Sequence, residues 1–218
     1  MKMSEMNADD LKDVLERIEG KLISAEKIYS AIQFQIWLIA MVFYYLITFH
    51  LRVVSWQVTA TYWILAFIVF ILVSIRIWKR LINLLRSHGK DTRSSPAFGM
   101  GISLSWICGS IVGWMLIPKT LSDLQIHQSL AIGFLSFISI SVFGMFLTFL
   151  YIAKSFEKEM IPAFLIPVVA IPAMMRIPDG FIVYAGSSIT MIYAGFSVAF
   201  AFGLTIVTYL FSAFRTIR

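Results

Sequence analysis

The sequence predicts an all-α fold: a polytopic membrane bundle of about six transmembrane helices, both termini cytoplasmic, preceded by an N-terminal amphipathic cytosolic helix. Three observations carry this. Of 218 residues, 59% are hydrophobic and only 14% charged, where a soluble domain has ~45–50% and ~25%. Apolar residues gather in six runs, each close to or above the ~20 residues that a ~30 Å hydrocarbon core requires. Basic residues concentrate in alternate connections, the pattern of the positive-inside rule. With a mean hydropathy of +0.84, this composition excludes a soluble globular domain and a disordered chain.

Residues 1–28 read as a cytosolic helix with seven acids against five bases. Asn7 is placed to cap it, and Asp9 and Asp10 fall in the first turn, where the helix dipole favours anions. Leu11, Leu15, Ile18, Leu22, Ala25, Tyr29 and Ile32 then follow at alternating spacings of four and three, a heptad seam. No breaker other than Gly20 separates this seam from the first span, so one continuous helix is expected. The seam over residues 11–32 has two readings: it packs on the protein's own loops or the membrane surface, or it joins a second copy or another membrane protein. The excess of acids weighs against the membrane surface, since anionic headgroups prefer basic helices.

Residues 29–218 form the transmembrane domain, with spans placed at 29–50, 54–78, 97–117, 128–152, 160–176 and 181–211. The connection from Arg76 to Pro96 carries Arg76, Lys79, Arg80, Arg86, Lys90 and Arg93, which places it in the cytoplasm. Alternation then puts both termini and the 154–159 connection on the same side, and the expected location is the plasma membrane. Leu81, Ile82, Leu84 and Leu85 let the second helix continue past the bilayer, with Gly89 as a stop. Trp78 and Trp114 sit near span ends, where amphipathic rings favour the interface. Ser122 and Gln125 have capping-box spacing at the start of the fourth helix.

The residues able to do chemistry are notable for their placement. No Asp, Glu, Lys or Arg lies in the interior of a span; Arg76 and Arg176 fall within the last three residues of theirs. Intramembrane ionisable groups usually mark proton relays or ion paths. His50, His88 and His127 lie at or beyond span ends. No H-E-x-x-H, G-x-G-x-x-G or Walker A spacing occurs, and serines have no buried base to activate them. The expectation is therefore a non-enzyme with no catalytic residue, cofactor or metal site. The lone Cys108 has no disulfide partner. The basic excess beside the spans is explained by orientation, so lipid bilayer and no nucleic acid are the expected surroundings.

Two stripes of small residues recur every four positions: Gly101, Ser105, Gly109 and Gly113 in the third span, and Gly195, Ala199 and Gly203 in the sixth. Each lies along one helix face and permits close backbone approach in lipid, where hydrophobicity adds little between helices. These seven are the expected packing residues, the two stripes meeting each other or forming an oligomer face. The fifth span holds Pro162, Pro167 and Pro172. Each internal proline removes a backbone hydrogen bond, so this helix is expected to be kinked, buried or re-entrant. At ~1.5 Å per residue the sixth span would reach ~46 Å, so a break is expected near Gly186, Ser187 and Ser188. Pro162, Pro167, Pro172, Gly186 and Ser187 form the candidate solute path, since broken helices mark sites in transporters. Two functions follow: a non-enzymatic accessory or scaffold subunit of a membrane assembly, or a transporter or channel subunit for a neutral or weakly polar solute.

Overall fold

Apolar runs of this length leave the backbone one way to satisfy its polar groups in hydrocarbon, the α-helix. The computed structural model describes residues 8–51, 56–86, 96–177, 182–183 and 187–217. Six of its helical segments are long and apolar enough to cross a membrane. The chain is a multi-pass integral membrane protein.

Its elements run α1 (Ala8–Leu51), α2 (Trp56–Arg86), α3 (Pro96–Ser110), a π-helical stretch (Ile111–Leu116) and α4 (Ile117–Thr120). Then come α5 (Ile126–Tyr151), a 3-10 turn (Lys158–Met160), α6 (Ile161–Arg176), strands β1 (Ile182–Val183) and β2 (Ser187–Ser188), and α7 (Ile189–Ile217). Successive spans alternate in direction. The end of the bundle holding the first half of α1 is called proximal below, the other distal.

α1 is a single helix of 44 residues, about 66 Å long at 1.5 Å per residue, so it outruns any bilayer core. The heptad seam divides along it. Leu22 is buried against Leu81 of α2, with Tyr29 and Trp78 beside them. One and two turns further out, Val14, Leu15 and Ile18 are exposed. α2 continues through Leu81 to Arg86; Gly89 lies outside the described residues.

α5 is apolar on all sides, as a helix enclosed by others must be. It contacts α3, the π stretch, α4, α6 and α7, while α1 lies along α7 and α2 leans on α1. Its own Ala131, Leu135 and Val142 and the α7 residues Ala194, Val198 and Phe202 belong to the same buried core. The first turn of α5 corrects the capping-box expectation. Its N-cap is Gln125, with no side-chain cap bond, and Ser122 lies in the exposed turn before it.

The small-residue stripe of α3 faces α5, not α7. A Cβ added at Gly101 would lie 2.7 Å from Thr148 Cγ2, and one at Gly113 would lie 2.5 Å from the Gly133 carbonyl oxygen. Gly109 abuts Ser141, and a Cβ on Gly144 of α5 would lie 2.6 Å from Ser105 Oγ. Two antiparallel stripes therefore mesh, the second being Gly133, Ser141, Gly144 and Thr148. The α7 stripe is not uniform. Gly195 lies directly under the Tyr45 ring of α1, Ala199 is half-buried, and a Cβ at Gly203 would meet nothing within 4 Å. Gly203→Ala is accordingly expected to leave stability unchanged or raise it by about 0.5–1 kcal/mol, from helix propensity alone. Gly195→Ala is expected to lower it, and thermal unfolding in detergent of the two variants side by side checks the contrast.

One further boundary differs from that read in the sequence, while the fifth segment, Ile161–Arg176, keeps the bounds of the 160–176 span. The sixth helix begins at Ile189, because residues 182–188 carry an antiparallel strand pair, Ile182 with Ser188 and Val183 with Ser187. Gly186 lies outside the described residues. The fifth segment is one helix of 16 residues with Pro167 and Pro172 inside it. It is not enclosed on all sides: Ala163, Pro167 and Met174 are buried, while Leu165, Val168 and Val169 are exposed.

Candidate functional site

The most concentrated polar chemistry lies at the proximal end, where the α5–α6 connection folds back between α1 and α7. α5 stops at Tyr151, and Ser155 N–H donates to the Phe149 carbonyl at 3.0 Å. Lys154, at φ 55°, takes the left-handed conformation that turns the chain, at about 1–2 kcal/mol for a residue with a Cβ. The 3-10 turn that follows brings Glu157 and Glu159 to the same side.

Both carboxylates meet Lys27 of α1. Its Nζ lies 2.8 Å from Glu157 Oε2 and 3.2 Å from Glu159 Oε2. Ser155 Oγ donates to Glu157 Oε1 at 2.7 Å, and the Tyr209 hydroxyl of α7 donates to Glu157 Oε2 at 3.2 Å. Lys27 Nζ also stands 5.5 Å from the centre of the Tyr209 ring, within cation–π range. Thr208 Oγ1 donates to the Glu159 carbonyl at 3.2 Å. Glu157 is 1% exposed and Glu159 3%. One ammonium thus serves two carboxylates in a nearly dry site. Such a group is tolerated only where Coulomb attraction and hydrogen bonds offset its desolvation, and here Lys27, Ser155 and Tyr209, from three parts of the chain, supply them.

Directly below the cluster the α1–α7 contact becomes aromatic. Phe34 meets Phe202 edge-on at 5.4 Å and Tyr209 at 6.0 Å. At the distal end, neutral hydrogen bonds take over. Tyr45 donates to the Met191 carbonyl at 3.3 Å, and Gln128 Nε2 donates to the Ile177 carbonyl just past α6 at 2.7 Å. An open groove of about 340 Å³ between α1 and α2 lies at this end, lined by Ile47, Gln57, Val58, Thr61, Tyr62 and Leu65.

The residues singled out from the sequence are not gathered into one centre. Pro162 sits in the first turn of α6, where the missing N–H is harmless. Pro167 is buried in mid-helix, Pro172 is exposed, and Ser187 belongs to β2 beyond the distal end. Several hydroxyls bond to their own helix, among them Ser105, Thr148 and Ser197. Ser139 and Ser141 are buried with no hydrogen-bond partner. Sequence reasoning missed Lys27, Ser155, Glu157, Glu159 and Tyr209. The available signal was the charged connection itself, two glutamates in i, i+2 register flanked by Phe156 and Met160. Among the described residues, no group of three or more His, Cys, Asp or Glu is placed to hold a metal ion.

Comparison with known proteins gives no match to a family model, a curated protein or a solved structure.

Proposed function

We propose that this protein is a non-enzymatic accessory or scaffold subunit of a plasma-membrane assembly, with both termini in the cytoplasm and the first turns of α1 as its docking arm. The observation that carries the reading is the split fate of the heptad seam. Leu22 is buried within the chain, whereas Leu15 and Ile18 continue the same seam unburied beyond it, with the exposed Val14 beside them. A helix presenting apolar anchors at i, i+1 and i+4 suits a partner helix or groove. The root of the arm is held by the Lys27 cluster, so the arm stands in a defined direction.

A second reading, a transporter or channel subunit for a neutral or weakly polar solute, is favoured by one observation. α6 is short, about 24 Å by its 16 residues, it carries two internal prolines, and a strand pair follows it before α7. One experiment separates the two. The full chain is purified gently in its native state and the particle mass measured, beside a chain lacking residues 1–20 and a Pro167→Ala/Pro172→Ala variant. The docking reading expects a stoichiometric companion, a second copy or another protein, that is lost on deletion and kept in the proline variant. A full-length chain that runs as a bare monomer overturns it. Solute flux into liposomes that survives the deletion and falls in the proline variant establishes the second reading instead.

A further inference from the structure

We propose that α6 is a pivoting helix held by a polar clamp at each end, and that the Lys27 cluster is the clamp that opens. α6 is weakened in its own hydrogen bonding, because Pro167 and Pro172 each withhold a backbone N–H from its ladder. Its exposed face, Leu165, Val168 and Val169, leaves it free of neighbours on one side. Its position therefore rests on its remaining contacts with α5 and α7 and on its two ends.

The ends differ in kind. At the distal end, among the described residues, one neutral bond, Gln128 Nε2 to the Ile177 carbonyl at 2.7 Å, joins the end of α6 to the start of α5. At the proximal end the connection is strapped through Glu157, Glu159 and the Glu159 carbonyl to Lys27, Tyr209 and Thr208. That strap stands at the edge of the bundle. Lys27 keeps 14% side-chain exposure, and Lys154 and Lys158 on the strap are exposed. Water or an approaching charge can compete for the ions there, whereas the neutral distal bond offers no such handle. The strap also holds Lys154 in the left-handed conformation, which relaxes when the strap lets go. Because Lys27 lies on the same unbroken helix as the exposed Val14, Leu15 and Ile18, a displacement of α1 acts directly on the clamp. The inference stands on the clamp geometry and does not depend on what docks to α1.

Spin-label distances in the full-length chain in lipid nanodiscs test it, in a Cys108→Ser background. One label pair, at the exposed positions Met100 and Leu165, reports the proximal half of α6; a second, at Ile126 and Met175, reports the distal end. Lys27→Met is expected to broaden and lengthen the first distance by about one helical turn, ~5 Å, and to leave the second alone. Gln128→Leu is expected to do the reverse. If Lys27→Met does not yield folded protein, Glu159→Gln, which keeps the shape and removes one charge, is read with the same labels and is expected to broaden the first distance. Either variant leaving both distributions at the wild-type shape, or moving both together, overturns the pivot.

Discussion

Replacement of Lys27 by methionine is expected to lower the stability of the folded chain by about 3–5 kcal/mol, the range for removing one partner of a buried ion pair. The reason is what stays behind. Glu157 and Glu159 are 1% and 3% exposed, and without the ammonium both stay buried and lose the cation they share. Part of the loss is recovered where the strap opens and lets the carboxylates reach water, so the upper figure applies to the closed form. Changing Glu157 and Glu159 to glutamine in the Lys27→Met background is expected to restore most of the stability, since a neutral cluster has no charge to desolvate. Lys12→Met serves as the control. Its partner Glu16 stands 4.0 Å away with both side chains mostly exposed, and such pairs contribute little. Unfolding midpoints in detergent check all three. A triple variant no more stable than the single one would show that the cluster acts by shape and not by charge.

The second large effect is expected at Gly113. A Cβ there would fall 2.5 Å from the Gly133 carbonyl oxygen and 2.8 Å from Phe137 Cα. Both are backbone atoms of α5, so no rotamer change relieves the clash and the helices themselves must part. Gly113→Val is expected to cost about 3 kcal/mol or more, the upper part of the range for overpacking, and to reduce the yield of folded protein sharply. Gly99→Val, near the start of α3, meets nothing within 4 Å and is expected to be harmless. The pair separates crowding at the seam from a general intolerance of branched side chains in this helix, and the measurement is the fraction of monodisperse protein after solubilisation together with its melting temperature.

Much of the architecture is legible in the sequence because the bilayer imposes a length on every crossing element. The run from Asp9 through the first span has no breaker, and the structure makes it one helix. Leu81 and Ile82 extend the second helix beyond the apolar run, and Leu81 is buried where that extension meets Leu22. Partners are harder to read than elements. The stripe on α3 declares a surface made for close approach but not what approaches it. Gly133, Ser141, Gly144 and Thr148 on α5 carry the matching pattern, hidden by the intervening Phe and Ile residues and by the readiness of serine to bond within its own helix. The polar cluster was illegible for a different reason. Lys27 and Glu157 are separated by 130 residues, and a connection reading Lys154, Glu157, Lys158, Glu159 looks like any solvated loop. Burial of both glutamates follows from the left-handed turn at Lys154 and the Tyr209 hydroxyl, neither of which a composition pattern reveals. Gly186, Ser187 and Ser188 announced the break that precedes Ile189, but the strand pair that fills it escaped because residues 181–188 are apolar enough to continue a span.

The π-helical stretch at Ile111–Leu116 makes the third crossing intolerant of changes in length. Four residues advance an ordinary α-helix by about 400°, so a four-residue repeat slips about 40° around the axis at each step. From Gly101 to Gly109 that slip accumulates, and a third identical step would rotate Gly113 away from the groove on α5. The looser winding of a π turn advances less per residue and returns Gly113 to the line. The extra residue it accommodates therefore works as a phase correction between two halves of one helix. Deleting a single residue from this stretch would remove one side chain at most and still swing Pro118 and Lys119 about 100° out of phase with the half before it. A homologous chain is thus expected to keep a glycine at the position of Gly113, to vary more freely in side chain at the other positions of this stretch, and to vary hardly at all in its count of residues.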